Sequence, residues 1–299
     1  MNQGKIIRFI LWLYGLSFGS AALFFMTGLG SHVFLLTAFM LLYMFMPFIA
    51  VLIVSKGIYK EKIARPLFLT GPFNWWWLLA ICLPLLLVGI TALFAPIFPS
   101  VALDLSMSSY LNMLDERSAQ AMKDLFQVLP FHPLWLLIGQ SLIAGITINA
   151  LFAFGEEIGW RGFLLREFHQ LGFWRASFLI GLIWGPWHAP LTIFAGHNYP
   201  STPYFGLVMM TVFCMLMSPL LSFITIKSRS IIPAAFFHGI INGSASLGLM
   251  IVSGGNPELL NGLTGLAGFI ILLLANIIIY MTTRKSIDQA YKNLLQRTR

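Results

Sequence analysis

The chain has 299 residues, of which 58% are hydrophobic and only 9% are charged, and its formal net charge is +8. Because soluble domains carry about 25% charged residues, this composition excludes a water-soluble fold and predicts an all-α polytopic membrane protein. The positive charge does not indicate a nucleic-acid partner, since the basic residues form short clusters between apolar runs, as in loops that face anionic lipid. Cys82 and Cys214 lie in apolar runs, so no disulfide framework is expected.

The apolar runs predict about eight transmembrane helices. In chain order they cover residues 6–28, 32–54, 74–95, 134–155, 176–195, 204–226, 231–252 and 262–282. If the N-terminus is cytoplasmic, all of the 18 Lys and Arg residues except Arg117 and Lys123 fall on the cytoplasmic side. The positive-inside rule therefore predicts that both termini are cytoplasmic.

Three regions follow from this pattern. Residues 1–133 hold helices one to three and a long extracytoplasmic loop, 96–133, in which residues 107–126 have the spacing of a short amphipathic helix. Residues 134–252 hold helices four to seven and are predicted to form the catalytic core. Residues 253–299 hold helix eight and a basic cytoplasmic tail.

Two adjacent carboxylates stand out, because Glu156 and Glu157, directly at the end of the run 134–155, are the only acidic residues predicted to lie within the membrane. An ionisable side chain in a bilayer costs at least ~2.5 kcal/mol, which favours a functional role. Glu157 and Arg161 are four residues apart on a helix and can form an ion pair. Glu156 points about 100° away from Glu157, and the sequence provides no obvious cation to pair with it.

Three further polar residues are predicted to reach the depth of Glu156. Helical rise places Glu156, His188, His238 and Asn242 between roughly 14 and 20 Å from the nearest cytoplasmic arginine on their own spans. Each of these spans also carries a pair of glycines four residues apart, which favours close helix packing. The four residues are therefore predicted to meet in one site. His197 is placed in an interfacial loop and is given no role.

This set of side chains suits the hydrolysis of a carbonyl substrate. A carboxylate and a histidine can activate water, while a second histidine and an amide can donate to an oxyanion. This scheme needs no cofactor. A divalent metal such as zinc, held by Glu156, His188 and His238, is an alternative that ranks lower because the usual His-Glu-x-x-His helix is missing. A serine nucleophile is less favoured, because no Ser lies in a Gly-x-Ser-x-Gly frame.

The motifs and their order resemble a known family. Glu-Glu-x-x-x-Arg at 156–161, an aromatic four residues before a histidine at Trp184 and His188, and His-x-x-x-Asn at 238–242 are similar to the motifs of the CPBP (Abi) intramembrane proteases. This family includes the type II CAAX prenyl endopeptidases. Its second motif usually begins with Phe, whereas this chain has Trp184.

The resemblance covers about residues 134–252 and implies a role for each motif residue. It implies that Glu156 and His188 activate water, that His238 and Asn242 stabilise the oxyanion, and that Glu157 and Arg161 hold the site. In eukaryotic members the substrate is a prenylated Cys-a-a-X protein and the site opens toward the cytoplasm, with which the depth estimate agrees.

The resemblance and the composition together predict an intramembrane endopeptidase in the bacterial plasma membrane. Its expected partners are membrane lipid and a peptide or lipidated-protein substrate, with no nucleic acid. The alternative is a non-catalytic protein of the same fold that acts in bacteriocin immunity or as a scaffold. A transporter with a Glu–His proton relay ranks last, because the two halves of the chain show no matching repeat.

Overall fold

The computed structural model describes residues 1–63, 67–69 and 71–296, and its regular structure is almost entirely helical. The α-helices before the carboxylates are α1 (Gln3–Met26), α2 (Val33–Tyr43), α3 (Met46–Val51), α4 (Trp75–Phe94), α5 (Ser108–Leu111), α6 (Glu116–Val128) and α7 (Pro133–Ile146). Those that follow are α8 (Ile148–Glu157), α9 (Leu165–Glu167), α10 (Phe173–Trp187), α11 (Ala189–Ala195), α12 (Pro203–Ser228), α13 (Ile232–Met250), α14 (Leu266–Thr283) and α15 (Ile287–Gln296).

Shorter elements complete the fold. Turns of 3₁₀-helix lie at Leu29–Ser31, Ala95–Ile97 and His169–Leu171, and π-helical segments at Leu52–Ile58 and Ile158–Leu164. Two strands, β1 (Val101–Leu103) and β2 (Val252–Gly254), pair antiparallel, with Val101 opposite Gly254 and Leu103 opposite Val252.

The structure is that of an all-α polytopic membrane protein, as the composition predicts. Within the described residues, 6 helical segments are long and apolar enough to cross a membrane: Gln3–Met26, Val33–Ile58, Trp75–Ile97, Phe173–Ala195, Pro203–Ser228 and Leu266–Thr283. A seventh is gained if α6 and α7, which meet at a bend of 107°, count as one span.

The predicted number of about eight spans stays a prediction. The two other predicted runs, 134–155 and 231–252, correspond to α7 with α8 and to α13. The first run is interrupted at Thr147, which separates α7 from α8. The second contains His238 and Asn242, and such polar side chains lower the mean hydropathy of a helix.

The segments that connect the helices lie at two opposite ends of the helix bundle, and long-range contacts join the segments of each end. At one end, Lys5 Nζ pairs with Glu61 and Glu167, and the Phe173 backbone N–H donates to Asp288. We name this the basic end; it holds residues 56–63, 166–172, 228–231 and α15. At the opposite end, which we name the strand end, lie β1 and β2 with residues 27–32, 95–132, 196–202 and 251–265. The charge pattern predicts the same grouping of loops.

The long connection at the strand end contains two helices where one was predicted over residues 107–126. α5 ends at Leu111, and Asp115 starts α6 by accepting a hydrogen bond from the Ser118 backbone N–H at 3.0 Å. α6 has no buried residue. The apolar spacing therefore indicates helix correctly, but the Asp115 cap interrupts it.

Close helix packing surrounds the predicted site. A Cβ atom at Gly185 on α10 would lie 2.4 Å from Thr211 Cα on α12. One at Gly239 on α13 would lie 2.3 Å from the Gly145 carbonyl oxygen on α7. Only glycine fits at either position, so these helices pack with their backbones in direct contact.

Candidate active site

The structure places Glu156, His188, His238 and Asn242 around one cavity of about 310 Å³. They come from α8, the break between α10 and α11, and α13. Much of the remaining lining is apolar and comes from α2, the residue directly after it and α12, including Met40, Met44, Met210, Phe213 and Met217. A mostly apolar cavity with a few convergent polar groups is the usual form of a site for a small or extended ligand.

Glu156 lies at the inner end of this cavity. Its Oε2 accepts hydrogen bonds from two indoles, Trp160 Nε1 at 3.1 Å and Trp184 Nε1 at 2.8 Å. Its other oxygen, Oε1, has no hydrogen bond from any described residue. The carboxylate is thus held through one oxygen while the other is available to a molecule in the cavity.

Glu157 joins two partners in a buried triad. Its Oε1 lies 3.0 Å from Arg161 Nη1, the predicted i,i+4 pair, and 2.9 Å from His238 Nδ1 on α13. Glu157 and Arg161 are both 0% exposed. Arg161 also stacks on Trp184, with Cζ 4.8 Å from the ring centroid. The triad therefore fixes α13 against the end of α8.

The hydrogen bonds of the two histidines indicate which ring nitrogens carry hydrogen. His188 Nδ1 lies 3.0 Å from the Trp184 carbonyl oxygen, which can only accept, so Nδ1 carries the hydrogen and Nε2 of the neutral ring keeps a lone pair. His238 Nδ1 likewise donates to Glu157. His238 Nε2 keeps a lone pair in the neutral ring and is a hydrogen-bond donor when the ring is protonated.

The first two spans support the histidine at the helix break. Pro186 and Pro190 flank His188, where α10 ends and α11 begins. Tyr14 on α1 donates to the Ile183 carbonyl at 2.7 Å, and Tyr43 on α2 donates to the Trp187 carbonyl at 2.8 Å. The sequence assigns no role to these tyrosines, because nothing in local spacing connects them to α10.

Among the other polar residues of the cavity wall, Asn149 and His197 lie near the predicted site, although neither is predicted as part of it from the sequence. Asn149 lies seven residues before Glu156 on α8, about two helical turns away and on the same face. His197 stacks parallel to His188, with ring centroids 6.2 Å apart. His197 is therefore part of the cavity wall, because Gly196, at φ +65°, turns the chain back after α11. An Asn within an apolar run could have indicated Asn149; no local signal indicates His197.

The alternative metal ligands are Glu156, His188 and His238, all of which line the cavity. Among the residues that the structure describes, no three His, Cys, Asp or Glu side chains are grouped to hold a metal ion. Glu156 Oε2 is bonded by two indoles and His238 Nδ1 by Glu157. Glu156 Oε1 and the Nε2 atoms of His188 and His238 have no hydrogen bond from any described residue, so the metal alternative stays a prediction that the chelator assay below tests.

Trp184 gives this chain a hydrogen bond that a phenylalanine cannot make. We expect Trp184→Phe to lower kcat about ten- to hundred-fold with little change in KM, because a hydrogen bond to a charged group contributes roughly 1.5–3 kcal/mol. Steady-state cleavage of a fluorogenic peptide measures the effect. Trp174→Phe on the same helix is the matched control, since Trp174 Nε1 has no partner among the described residues. Equal losses in both variants would mean that Trp184 only fills space.

Comparison with known proteins agrees with the motif resemblance. Residues 130–244 match the family model described as type II CAAX prenyl endopeptidase Rce1-like, and this segment contains all three motifs. A CAAX prenyl protease 2 from Methanococcus maripaludis is 33% identical over 94 residues, which cover 29% of this chain and 34% of that relative. The chain thus matches about a third of the length of its relative. The resemblance to the CPBP and Rce1-like family is confirmed for this segment.

Proposed function

We propose that this protein is an intramembrane endopeptidase that hydrolyses a peptide bond of a membrane-associated substrate with water activated by Glu156 and His188. The observation that carries the proposal is the free Glu156 Oε1 on a cavity that His188 also lines. The buried carboxylate is held by two neutral indoles through Oε2, which leaves Oε1 to accept a proton from water. The match to Rce1-like endopeptidases over residues 130–244 supports the same reaction class.

The proposed reaction begins with a water molecule between Glu156 Oε1 and His188 Nε2. Glu156 takes one proton from the water while the water oxygen bonds to the carbonyl carbon of the peptide. The Asn242 amide and the protonated His238 Nε2 donate hydrogen bonds to the resulting oxyanion. The carbon–nitrogen bond then breaks as Glu156 passes its proton to the departing amine. One water is consumed, and a carboxylic acid and an amine are released.

The lining favours water over a side-chain nucleophile. The hydroxyl side chains on the cavity wall are Thr37 and Thr264, at its outer part, and no serine from the described ranges joins them. Ser244, close to Asn242 in sequence, is buried and donates to the Ile240 carbonyl at 2.6 Å. This supports a glutamate-dependent mechanism rather than a serine-dependent one.

The apolar part of the lining supports a peptide with large apolar side chains or an attached lipid. Methionine side chains adapt to ligands of different shape, and two of the four lining methionines come from α12. A C-terminal Cys-a-a-X peptide with a prenyl group is one such substrate, and membrane lipid surrounds the site. We propose the bacterial plasma membrane as its location.

Hydrolysis of a peptide panel by the detergent-purified protein tests this function. The panel includes peptides prenylated at a C-terminal Cys-a-a-X, each assayed with and without chelator. We expect cleavage that survives chelation, and a 10²- to 10³-fold lower kcat in Asn242→Ala with little change in KM, because one oxyanion donor is lost. Asn112→Ala, an exposed amide on the long connection, is the matched control.

Each contrary outcome has a distinct meaning. Loss of cleavage on chelation would overturn the metal-free mechanism. If the wild type cleaves no peptide and Glu156→Gln also preserves the cellular phenotype, a binding protein of the same fold replaces the enzyme. An unchanged kcat in Asn242→Ala would remove Asn242 from the oxyanion site.

A further inference from the structure

The cavity is graded from a closed inner end to an open outer end. At the inner end, Glu156 is 2% exposed and His238 is 6% exposed. The outer lining includes Thr37 and Asn198, which are exposed, and Thr264, which is half-buried. These outer residues belong to the first turns of α2, the connection from α11 to α12, and the residues before α14. The cavity therefore opens at the strand end of the bundle.

The basic end is closed beneath the site. Every residue of the π-helical segment Ile158–Leu164, directly after the two glutamates, is buried. Trp160, Arg161 and Phe163 in this segment are all 0% exposed. Beyond it, the buried Lys5 amine bonds to Glu61 and Glu167, and Arg166 bonds to both of the same carboxylates. A substrate approaching from the basic end would have to displace this packed layer and break its ion pairs.

Charge distinguishes the two ends. The strand end carries more acidic than basic side chains: Asp104, Asp115, Glu116, Asp124 and Glu258 against Arg117 and Lys123. Most of the other Lys and Arg residues lie in the loops and terminal segments of the basic end. By the positive-inside rule, the basic end faces the cytoplasm and the mouth of the cavity faces the opposite side of the membrane.

We infer that the site receives its substrate from the extracytoplasmic face of the membrane. This inference rests on the proposed function. The substrate class is a translocated, membrane-anchored polypeptide whose scissile segment is uncharged and largely apolar, because Glu156 is the one acidic or basic side chain, histidines aside, among the lining residues of the described chain. In the cell, this translocated polypeptide takes the place of the prenylated Cys-a-a-X peptide named above, because a peptide prenylated in the cytoplasm would meet the closed end of the bundle.

This direction differs from the cytoplasmic access that the depth estimate and the family resemblance favour. Distance along a helix from the nearest arginine measures how deep a residue lies. It does not show on which side the neighbouring helices separate. Here the packed segment Ile158–Leu164 lies between Glu156 and the basic end. The site is therefore nearer to the basic end in depth, although its cavity opens toward the strand end.

Single-cysteine labelling with a membrane-impermeant maleimide tests the orientation of the mouth. Asn198→Cys, Asn112→Cys and Lys292→Cys are made in a Cys82→Ala background that retains the buried Cys214. In intact bacterial spheroplasts we expect Asn198→Cys at the mouth and Asn112→Cys at the strand end to be labelled. Lys292→Cys on α15 should be labelled only after permeabilisation. The reverse pattern would overturn the inference, whatever the protein's activity.

Sided membrane vesicles then test the route of the substrate. An impermeant peptide with a charged tag outside an apolar scissile segment is added to right-side-out and inside-out vesicles. We expect at least ten-fold faster cleavage in right-side-out vesicles, and equal rates once detergent opens both faces. Faster cleavage in inside-out vesicles, or cleavage only after detergent, would overturn extracytoplasmic access. No cleavage even in detergent would instead contradict the proposed function. The labelling result would still report the orientation of the mouth, because it does not depend on activity.

A bulky label at the mouth separates access from orientation. Labelled Asn198→Cys should lose most of its cleavage activity relative to the same variant before labelling. Labelled Asn112→Cys should keep its activity, because Asn112 lies at the same end but outside the cavity lining. Full activity in labelled Asn198→Cys would mean that the substrate does not pass this mouth.

Discussion

Glu156→Gln is expected to lower the rate of peptide hydrolysis by about 10³-fold, the largest effect of any single change at the site. The amide has the same shape and can still accept from the indoles of Trp160 and Trp184, so the fold should be preserved. It has no basic oxygen with which to take a proton from water. The loss should therefore appear in kcat, with KM nearly unchanged.

Steady-state kinetics in detergent, together with thermal unfolding of the same samples, measure this outcome. Glu116→Gln makes the same chemical change on an exposed carboxylate of α6 and should keep the wild-type rate. A Glu156→Gln rate within ten-fold of wild type would exclude Glu156 as the general base. A large drop in the unfolding temperature of Glu156→Gln would instead mean that the carboxylate mainly supports the fold.

Arg161→Met is expected to destabilise the folded protein by about 3–5 kcal/mol, because it leaves the Glu157 carboxylate buried with one partner fewer. Arg161 is 0% exposed, and its Nη1 lies 3.0 Å from Glu157 Oε1. Its loss also removes the stacking on Trp184. Thermal unfolding in detergent measures the stability, and Arg117→Met, on exposed α6, is the matched control.

The double variant Glu157→Gln/Arg161→Met separates stability from catalysis. Removing both charges should restore much of the stability, because no uncompensated charge stays buried. The hydrolysis rate should stay about 10²-fold low, because a neutral amide at 157 replaces the carboxylate that accepts from His238 Nδ1 and orients the ring as an oxyanion donor. A double variant that recovers the wild-type rate would show that the Glu157 charge has no part in the reaction. A stable Arg161→Met variant would show that the triad does not hold the fold.

The amino-acid sequence by itself determines the class of the protein and the contacts made within one helix. Its apolar composition requires a membrane environment, and the lengths of the runs place most helices. The Glu157–Arg161 pair follows from four-residue spacing, because helical geometry fixes which side chains are neighbours. The same spacing connects Trp160 to Glu156, a contact that the sequence also contains but the sequence analysis does not use.

Only the tertiary structure decides the contacts between helices. Glu157 and His238 are 81 residues apart, and Trp184 is 28 residues from the Glu156 that it bonds. The rotation of each helix about its axis selects these partners, and that rotation depends on packing, such as the backbone contact allowed by Gly239. The turn that brings His197 to the wall has the same origin. Depth along a helix is local information, whereas the opening of the cavity depends on which helix ends pack tightly and which separate.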